Sequence, residues 1–107
     1  MRVYIAGPYT ATDPVINTRH AVLAAEYLME HDARVVPFVP HLSLAWHLIS
    51  PHSVEWWYAY DLAWLRVCDI VLRLPGASTG ADLEVAEAKK LGIPVFTDVA
   101  ELLRSIR

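Results

Sequence analysis

Short apolar runs alternate with longer helical segments along the whole chain, and this alternation limits the possible folds more than any other feature. The runs have the length and β-branched content of buried strands. They cover residues 2–6, 34–38, 69–74 and 93–97. Strands that alternate with helices favour a parallel sheet covered on both faces. We expect an α/β fold: a single three-layer, doubly wound domain over residues 1–107, with a mostly parallel sheet of four to five strands in flavodoxin-like or Rossmann-like order.

The first helix has a clear start signal. Asp13 is a predicted N-cap and Pro14 suits the first helical position, so the helix is expected to run from there to about residue 31. Its apolar spacing predicts which side chains share one face. These are Ile16, His20, Leu23, Ala24, Tyr27 and Leu28.

Three further helices are predicted over residues 54–67, 79–91 and 99–106. The first of these is apolar nearly all round, which predicts burial on two sides. The second begins with a capping-box pattern at Thr79. Residues 39–53 show no clear period, so a loop with one short helical turn is expected there.

Charge and hydropathy exclude two classes of partner. The formal net charge is −3 and no cluster of Lys and Arg occurs, so nucleic-acid binding is not expected. No apolar run approaches the roughly 20 residues of a membrane-spanning helix, so no membrane partner is expected.

The remaining composition bears on location and assembly. The only cysteine, Cys68, cannot form an internal disulfide, and no signal-peptide pattern is visible, so we expect a cytoplasmic protein. Hydrophobic residues make up 55% of the chain, which is high for a small domain. We therefore expect a homodimer or a higher homo-oligomer that buries surface against copies of itself.

A strand-to-helix turn at residues 70–84 carries the strongest functional signal. An apolar run leads into Pro75 and Gly76, then into small hydroxyl residues, and then into a helix that bears Glu84. In a doubly wound sheet, ligands bind where the strand order reverses. With the strand order 2-1-3-4, this turn would face the first loop, at residues 7–10, across that point.

Three side chains could carry chemistry there, and each has an ordinary alternative. Glu84 is either a solvated helix residue or a carboxylate at the site. Asp61 lies in the most apolar helix, where an acid is costly unless it is paired or faces a polar cavity; the alternative is a polar surface stripe. Tyr4 is either a core tyrosine or a hydroxyl that orients a carboxylate. Two carboxylates at one site would push their pKa values apart.

Other residues and motifs give weaker signals. His41, His47 and His52 match no metal-ligand spacing and have no accompanying thiol, so neither a metal nor a cofactor is expected. Trp56 and Trp57 are interpreted as core and subunit-interface residues rather than a base-stacking platform. The motifs of phosphate-binding loops, dinucleotide folds and nucleophile elbows are missing from the sequence, which argues against kinases, dehydrogenases and α/β-hydrolases.

Three segments occur in an order typical of one enzyme family. The first is VYIAGP at residues 3–8, with Tyr4 at a site position. The second is YDLAWL at residues 60–65, followed by CDIV at residues 68–71. The third, Ser78-x-Gly80-x-x-x-Glu84, is similar to a loop-to-helix motif that bears a catalytic glutamate. With these segments the chain resembles the nucleoside 2-deoxyribosyltransferase-like family, which includes nucleoside 5′-monophosphate N-glycosidases.

The resemblance implies an enzyme that cleaves the N-glycosidic bond of a small-molecule (deoxy)nucleoside or nucleoside 5′-monophosphate. Glu84 would attack the anomeric carbon and form a covalent glycosyl intermediate. Asp61 would protonate the departing base or hold Glu84 in line, and Tyr4 would hydrogen-bond to the glutamate. Water or a second base would then take the sugar. The substrate-binding residues implied are Gly7, Pro8, Tyr9, His41, Ser78 and Gly80.

Two positions bear on the group at the 5′ carbon. Ser78 resembles the nucleotide-hydrolase branch, since the transferases of the family carry an acid there. The first loop lacks the Ser and Arg residues that phosphate-handling members show after their glycine. The competing hypotheses are a non-catalytic nucleotide-binding module of the same fold and a NAD-glycohydrolase-type enzyme.

Overall fold

The computed structural model describes residues 1–107 and has the α/β fold that the strand and helix pattern predicts. The strands are β1 (Arg2–Ala6), β2 (Val36–Phe38), β3 (Ile70–Arg73) and β4 (Val95–Phe96). The helices are α1 (Pro14–His31), α2 (Ser43–Ile49), α3 (Val54–Leu65), α4 (Thr79–Lys90) and α5 (Val99–Ser105). A 3₁₀ turn, Pro40–Leu42, precedes α2. No helix combines the length and the hydropathy that a membrane span requires.

The sheet has four strands in the order β2-β1-β3-β4, and every pair is parallel. The chain moves outward from β1 to β2 and then returns to place β3 on the other side of β1. The strand order therefore reverses between β1 and β3, and the carboxyl ends of these two strands border the crevice where such folds bind ligands.

The central strand β1 is buried on both faces, as a parallel strand covered by helices must be. Val3 and Ile5 pack into one core with the buried side of α1 and α5. Tyr4 and Ala6 face the opposite side and pack with Leu65, next to α3 and α4. The tyrosine therefore points toward the layer that holds α4.

The predicted apolar face of α1 is largely wrong. The helix buries Ala21, Ala25 and Leu28, whereas Ile16 and Leu23 are exposed. Alanines allow the helix backbone to approach the sheet closely, so the contact is made by small residues. A pattern of large apolar residues does not reveal such a face.

The expectation of a loop with one short helical turn over residues 39–53 is wrong in extent: the 3₁₀ turn is followed directly by α2, and together they occupy most of the segment. Pro40 suits the first position of the 3₁₀ turn. Trp46 and His47 of α2 contact aromatic side chains of α3. Tertiary packing thus forms a helix for which the sequence period gives no signal.

Helix α3 is buried on one side only, contrary to the expectation of burial on two. Leu62 and Leu65 are its buried residues, while Trp56 and Trp64 are exposed. The helix therefore presents apolar surface to solvent in this chain.

Candidate functional site

Two loops meet at the carboxyl ends of β1 and β3. A Cβ atom placed on Gly76 would lie 2.8 Å from Cγ of Pro8, and Gly76 has a φ angle of +114°, so both the contact and the backbone require glycine. The two loops therefore pack closely against each other at the point where the strand order reverses.

Helix α4 begins at Thr79, as predicted, but its cap lies one residue earlier than the capping pattern predicts. Ser78 is the N-cap: its backbone is extended and its Oγ accepts a hydrogen bond from the backbone N–H of Ala81 at 3.1 Å. Thr79 is the first helical residue, so its predicted role as the cap is wrong. The buried face of α4 consists of Ala81, Glu84 and Ala88, a helical spacing that turns Glu84 toward the sheet.

Tyr4 and Glu84 form a buried hydrogen bond. The Tyr4 side chain is fully buried in β1, and its hydroxyl donates to Oε2 of Glu84, which is 7% exposed. Burial, and then the charge of Glu84, raise the pKa of Tyr4 far above its ordinary value, so this hydroxyl keeps its proton and remains a donor. Burial raises the pKa of Glu84 to about 7, against the opposing effects of the Tyr4 hydrogen bond and the Arg73 charge.

Asp61 is the second carboxyl of the site. Burial, and then the charge of Glu84, raise its pKa to about 7. Its Oδ1 atom is buried and has no hydrogen-bond partner. Because ionised Glu84 disfavours ionisation of Asp61, the two acids can hold different protonation states near neutral pH, one as a carboxylate and the other as a proton donor.

Both carboxyls line one cavity of about 500 Å³. The first loop contributes Gly7 and Tyr9, and the second contributes Ser78 and Gly80. Aromatic side chains of α3, Trp57 and Tyr58, form much of the remaining wall. A cavity of this size with a few polar groups on an apolar wall suits a small molecule.

Three predicted site residues, Tyr4, Pro8 and His41, do not line this cavity. Tyr4 is beneath Glu84. Pro8 borders a separate, smaller cavity, and His41 lines neither. The buried His41 ring places Nε2 2.9 Å from the carbonyl oxygen of Pro8, and burial lowers the pKa of His41. A neutral imidazole that donates from Nε2 holds the first loop from behind.

Two residues that position the loops escaped the sequence analysis. Arg73, at the end of β3, donates to the carbonyl oxygen of Gly76 at 2.9 Å and to Oδ1 of Asp82 at 3.0 Å, which ties the second loop to α4. Asn17 of α1 donates to the carbonyl oxygens of Tyr9 and Ala11. Arg73 could have been identified from the sequence, because a charged residue at the end of an apolar strand stands out. No comparable sequence pattern marks Asn17.

Of the three histidines of the metal hypothesis, His41 lies behind the first loop, whereas His47 and His52 lie together beside Trp57. No group of three or more His, Cys, Asp or Glu side chains is arranged to hold a metal ion. His47 instead accepts a hydrogen bond from the indole of Trp57. Trp57 thus borders the cavity, although the sequence favoured a core or interface role for it.

Removing the Tyr4 hydroxyl is expected to raise the pKa of Glu84 further. Tyr4→Phe deletes the hydrogen bond that favours the carboxylate form, and a buried carboxylate without its donor costs about 1–3 kcal/mol of folding free energy. Carboxyl ¹³C NMR titration should show Glu84 titrating at higher pH than about 7.

This loss of folding free energy should appear only at pH values at which Glu84 is ionised. Because the pKa of Glu84 in the folded protein lies above the ordinary 4.5, the free energy of unfolding falls as the pH rises from 4.5 to about 7. In Tyr4→Phe this fall should continue to higher pH. Tyr27→Phe, on an exposed face of α1, is the matched control and should leave the Glu84 titration unchanged. An unchanged titration in Tyr4→Phe would contradict the assigned hydrogen bond.

Comparisons with known proteins identify a matching family and similar solved structures. Residues 1–98 match the model of a family described as a domain of unknown function, DUF7768. No curated protein matches the chain in sequence. A conserved protein from Enterococcus faecalis V583 has a similar structure, with a TM-score of 0.73 and 21% identity over 89% of this chain. This chain spans 60% of the length of that protein.

A 2-deoxyribosyltransferase from the psychrotolerant bacterium Bacillus psychrosaccharolyticus also has a similar structure. The TM-score is 0.63 and the identity 22%, over 89% of this chain and 69% of that one. At these identities the likeness shows a shared fold.

Proposed function

This chain belongs to the DUF7768 family of domains of unknown function, and we propose that it cleaves the N-glycosidic bond of a (deoxy)nucleoside or a nucleoside 5′-monophosphate. The observation that carries the proposal is the pair of acids, Glu84 and Asp61, in one cavity, with the Tyr4 hydroxyl bonded to Glu84. The shared fold with a 2-deoxyribosyltransferase supports the same reaction class.

Glu84 is the proposed nucleophile. The Tyr4 hydroxyl holds one oxygen of the carboxylate, which leaves the other free to face the cavity. That oxygen attacks the anomeric carbon, a C–O ester bond forms, and the C–N bond to the base breaks with its electron pair moving to the base nitrogen. A carboxylate that is held in place needs little rearrangement before it attacks.

Asp61 is the proposed general acid. Its raised pKa keeps a proton available near neutral pH, and Asp61 lines the same cavity as Glu84. The proton of Asp61 passes to the base nitrogen as the C–N bond breaks. Asp61 then accepts a proton from water or from a second base as that acceptor attacks the anomeric carbon and frees Glu84. The identity of the acceptor separates a hydrolase from a transferase.

The test is incubation with a panel of deoxynucleosides, their 5′-monophosphates and NAD, with and without a free acceptor base. Chromatography should detect free base, or an exchanged nucleoside when the acceptor is present. Ligand binding without base release from any member would favour a nucleotide-binding module and contradict the proposed activity. Base release from NAD alone would favour the glycohydrolase alternative.

We also propose that two copies of the chain associate. Large apolar side chains on α2 and α3 are exposed, among them Ile49, Val54 and Trp56, and Val54 also borders the cavity. Large apolar side chains exposed on neighbouring helices are typical of protein–protein interfaces. Light scattering coupled to size-exclusion chromatography should give twice the chain mass of 12.0 kDa. Ile49→Asp should shift the species toward monomer, whereas a monomeric wild type would contradict the proposal.

A further inference from the structure

Trp57 borders the cavity next to a proposed catalytic group. Trp57 and Asp61 lie one turn apart on α3, and both line the cavity. The indole has a single polar hydrogen, on Nε1, and it donates this hydrogen to Nδ1 of His47 at 2.7 Å. The orientation of this part of the wall therefore depends on a residue of another helix.

His47 lies on α2 and does not line the cavity. A second donor, the backbone N–H of His52, lies 3.3 Å from the same Nδ1 atom. An indole N–H and a backbone N–H can only donate, so Nδ1 must carry the lone pair and the ring proton is assigned to Nε2. The surroundings of His47 thus select one neutral tautomer that serves as an acceptor.

Aromatic neighbours fix the plane of the same indole. Trp46 packs edge-on against Trp57, with ring centroids 5.4 Å apart at 90°, and Trp56 does so at 4.8 Å and 87°. Helix α2 buries no residue, and its Leu48 and Ile49 are 75% and 85% exposed. Burial in the core therefore does not explain the position of α2. The helix is connected to the cavity through the contacts of Trp46 and His47 with Trp57.

We propose that His47 is a positioning residue that orients Trp57 at the cavity wall and so sets how tightly the planar base of a ligand is held. It acts through Trp57 and takes no part in proton transfer. The proposal rests on the proposed function for the nature of the ligand, a nucleoside or nucleotide. It concerns binding, so its effects fall on KM and on the dissociation constant rather than on kcat.

The decisive variants are His47→Leu, which removes the acceptor, and His47→Asn, whose Oδ1 can occupy the position of Nδ1. His47→Leu should raise KM and the dissociation constant by about five- to tenfold, with kcat within twofold of wild type. His47→Asn should restore both constants to within twofold. His31→Leu, at an exposed histidine of α1 that does not line the cavity, is the matched control and should change neither.

A readout independent of activity is the indole N–H resonance of Trp57 in ¹H–¹⁵N NMR spectra, assigned through Trp57→Phe. The resonance should move upfield in His47→Leu and stay in place in His47→Asn. Binding of 2′-deoxyadenosine and its 5′-monophosphate is titrated in the same samples. In the double variant His47→Leu/Trp57→Phe, the loss of affinity should be no larger than in Trp57→Phe alone.

Two results would overturn the proposal. One is a shifted Trp57 indole resonance in His47→Leu with unchanged affinity for both probes. The other is an equal loss of affinity in His47→Leu and His47→Asn. If wild type binds the probes but releases no base, the proposed enzymatic function fails while the binding titrations still decide the role of His47. If wild type binds neither probe, both the ligand assignment and this inference fail.

Discussion

Replacing Glu84 by glutamine is expected to lower the rate of base release by roughly a thousandfold or more. The amide is nearly the same size and can still accept the Tyr4 hydrogen bond, but it cannot form the ester to the anomeric carbon. The buried contacts of α4 should therefore survive while the chemistry stops. Base release from the best panel substrate, measured by chromatography, gives the rate.

Glu87 of the same helix provides the matched control. Its carboxylate pairs with Arg66 at 3.6 Å and does not line the cavity. Glu87→Gln should keep the rate within about twofold of wild type, because a long, partly exposed ion pair contributes little and Glu87 lies outside the cavity. Comparable rates in wild type and Glu84→Gln would show that Glu84 is not the nucleophile.

Asp61→Asn is expected to lower kcat by about 10²- to 10⁴-fold, the usual contribution of a general acid. The size of the loss should depend on the leaving group. A nucleoside of 7-methylguanine carries a positive charge on its base, which can depart without being protonated. With that substrate Asp61→Asn should lose no more than about tenfold, because the missing proton is no longer needed.

The control for Asp61 is Glu55→Gln, an exposed acid in the first turn of the same helix. Glu55→Gln should leave kcat unchanged with both substrates. An equal loss in Asp61→Asn with ordinary and with 7-methylated substrates would contradict the general-acid role. It would favour the other role considered for Asp61, that of holding Glu84 in line.

The two acids also predict the shape of the pH profile. Glu84 must be ionised to attack, so activity falls as the pH drops below its pKa of about 7. Asp61 must be protonated to donate, so activity falls as the pH rises above its pKa of about 7. The profile of kcat/KM should therefore be a narrow bell with its maximum near neutrality, and Asp61→Asn should lose the alkaline limb.

The parts of the fold that depend on local signals could be predicted from the sequence. The bounds of β1 and the start of α1 at Pro14 follow from an apolar run and a cap. The parallel order of the strands follows from their alternation with helices, and it places the loops after β1 and β3 together. The convergence of Asp61 with Glu84 in one cavity is consistent with these features and with the family resemblance.

The rest depends on packing between distant segments. Helix α2 forms against the aromatic residues of α3, and the alanine face of α1 has no large side chains to mark it. His41 was expected to contact substrate, but its ring hydrogen-bonds to Pro8 behind the first loop. The extent of the domain, the cytoplasmic location and the catalytic roles stay predictions.

The central claim is that Glu84 carries the sugar between bond cleavage and transfer. The most direct test is to incubate wild type with a 2′-fluoro-substituted nucleoside, whose electron-withdrawing fluorine slows breakdown of the intermediate, and to map the labelled peptide by mass spectrometry. We predict that base is released in a stoichiometric burst and that the sugar is esterified to Glu84, with no label in Glu84→Gln. Sugar attached to another residue, or continued base release without any labelled protein, would contradict the account.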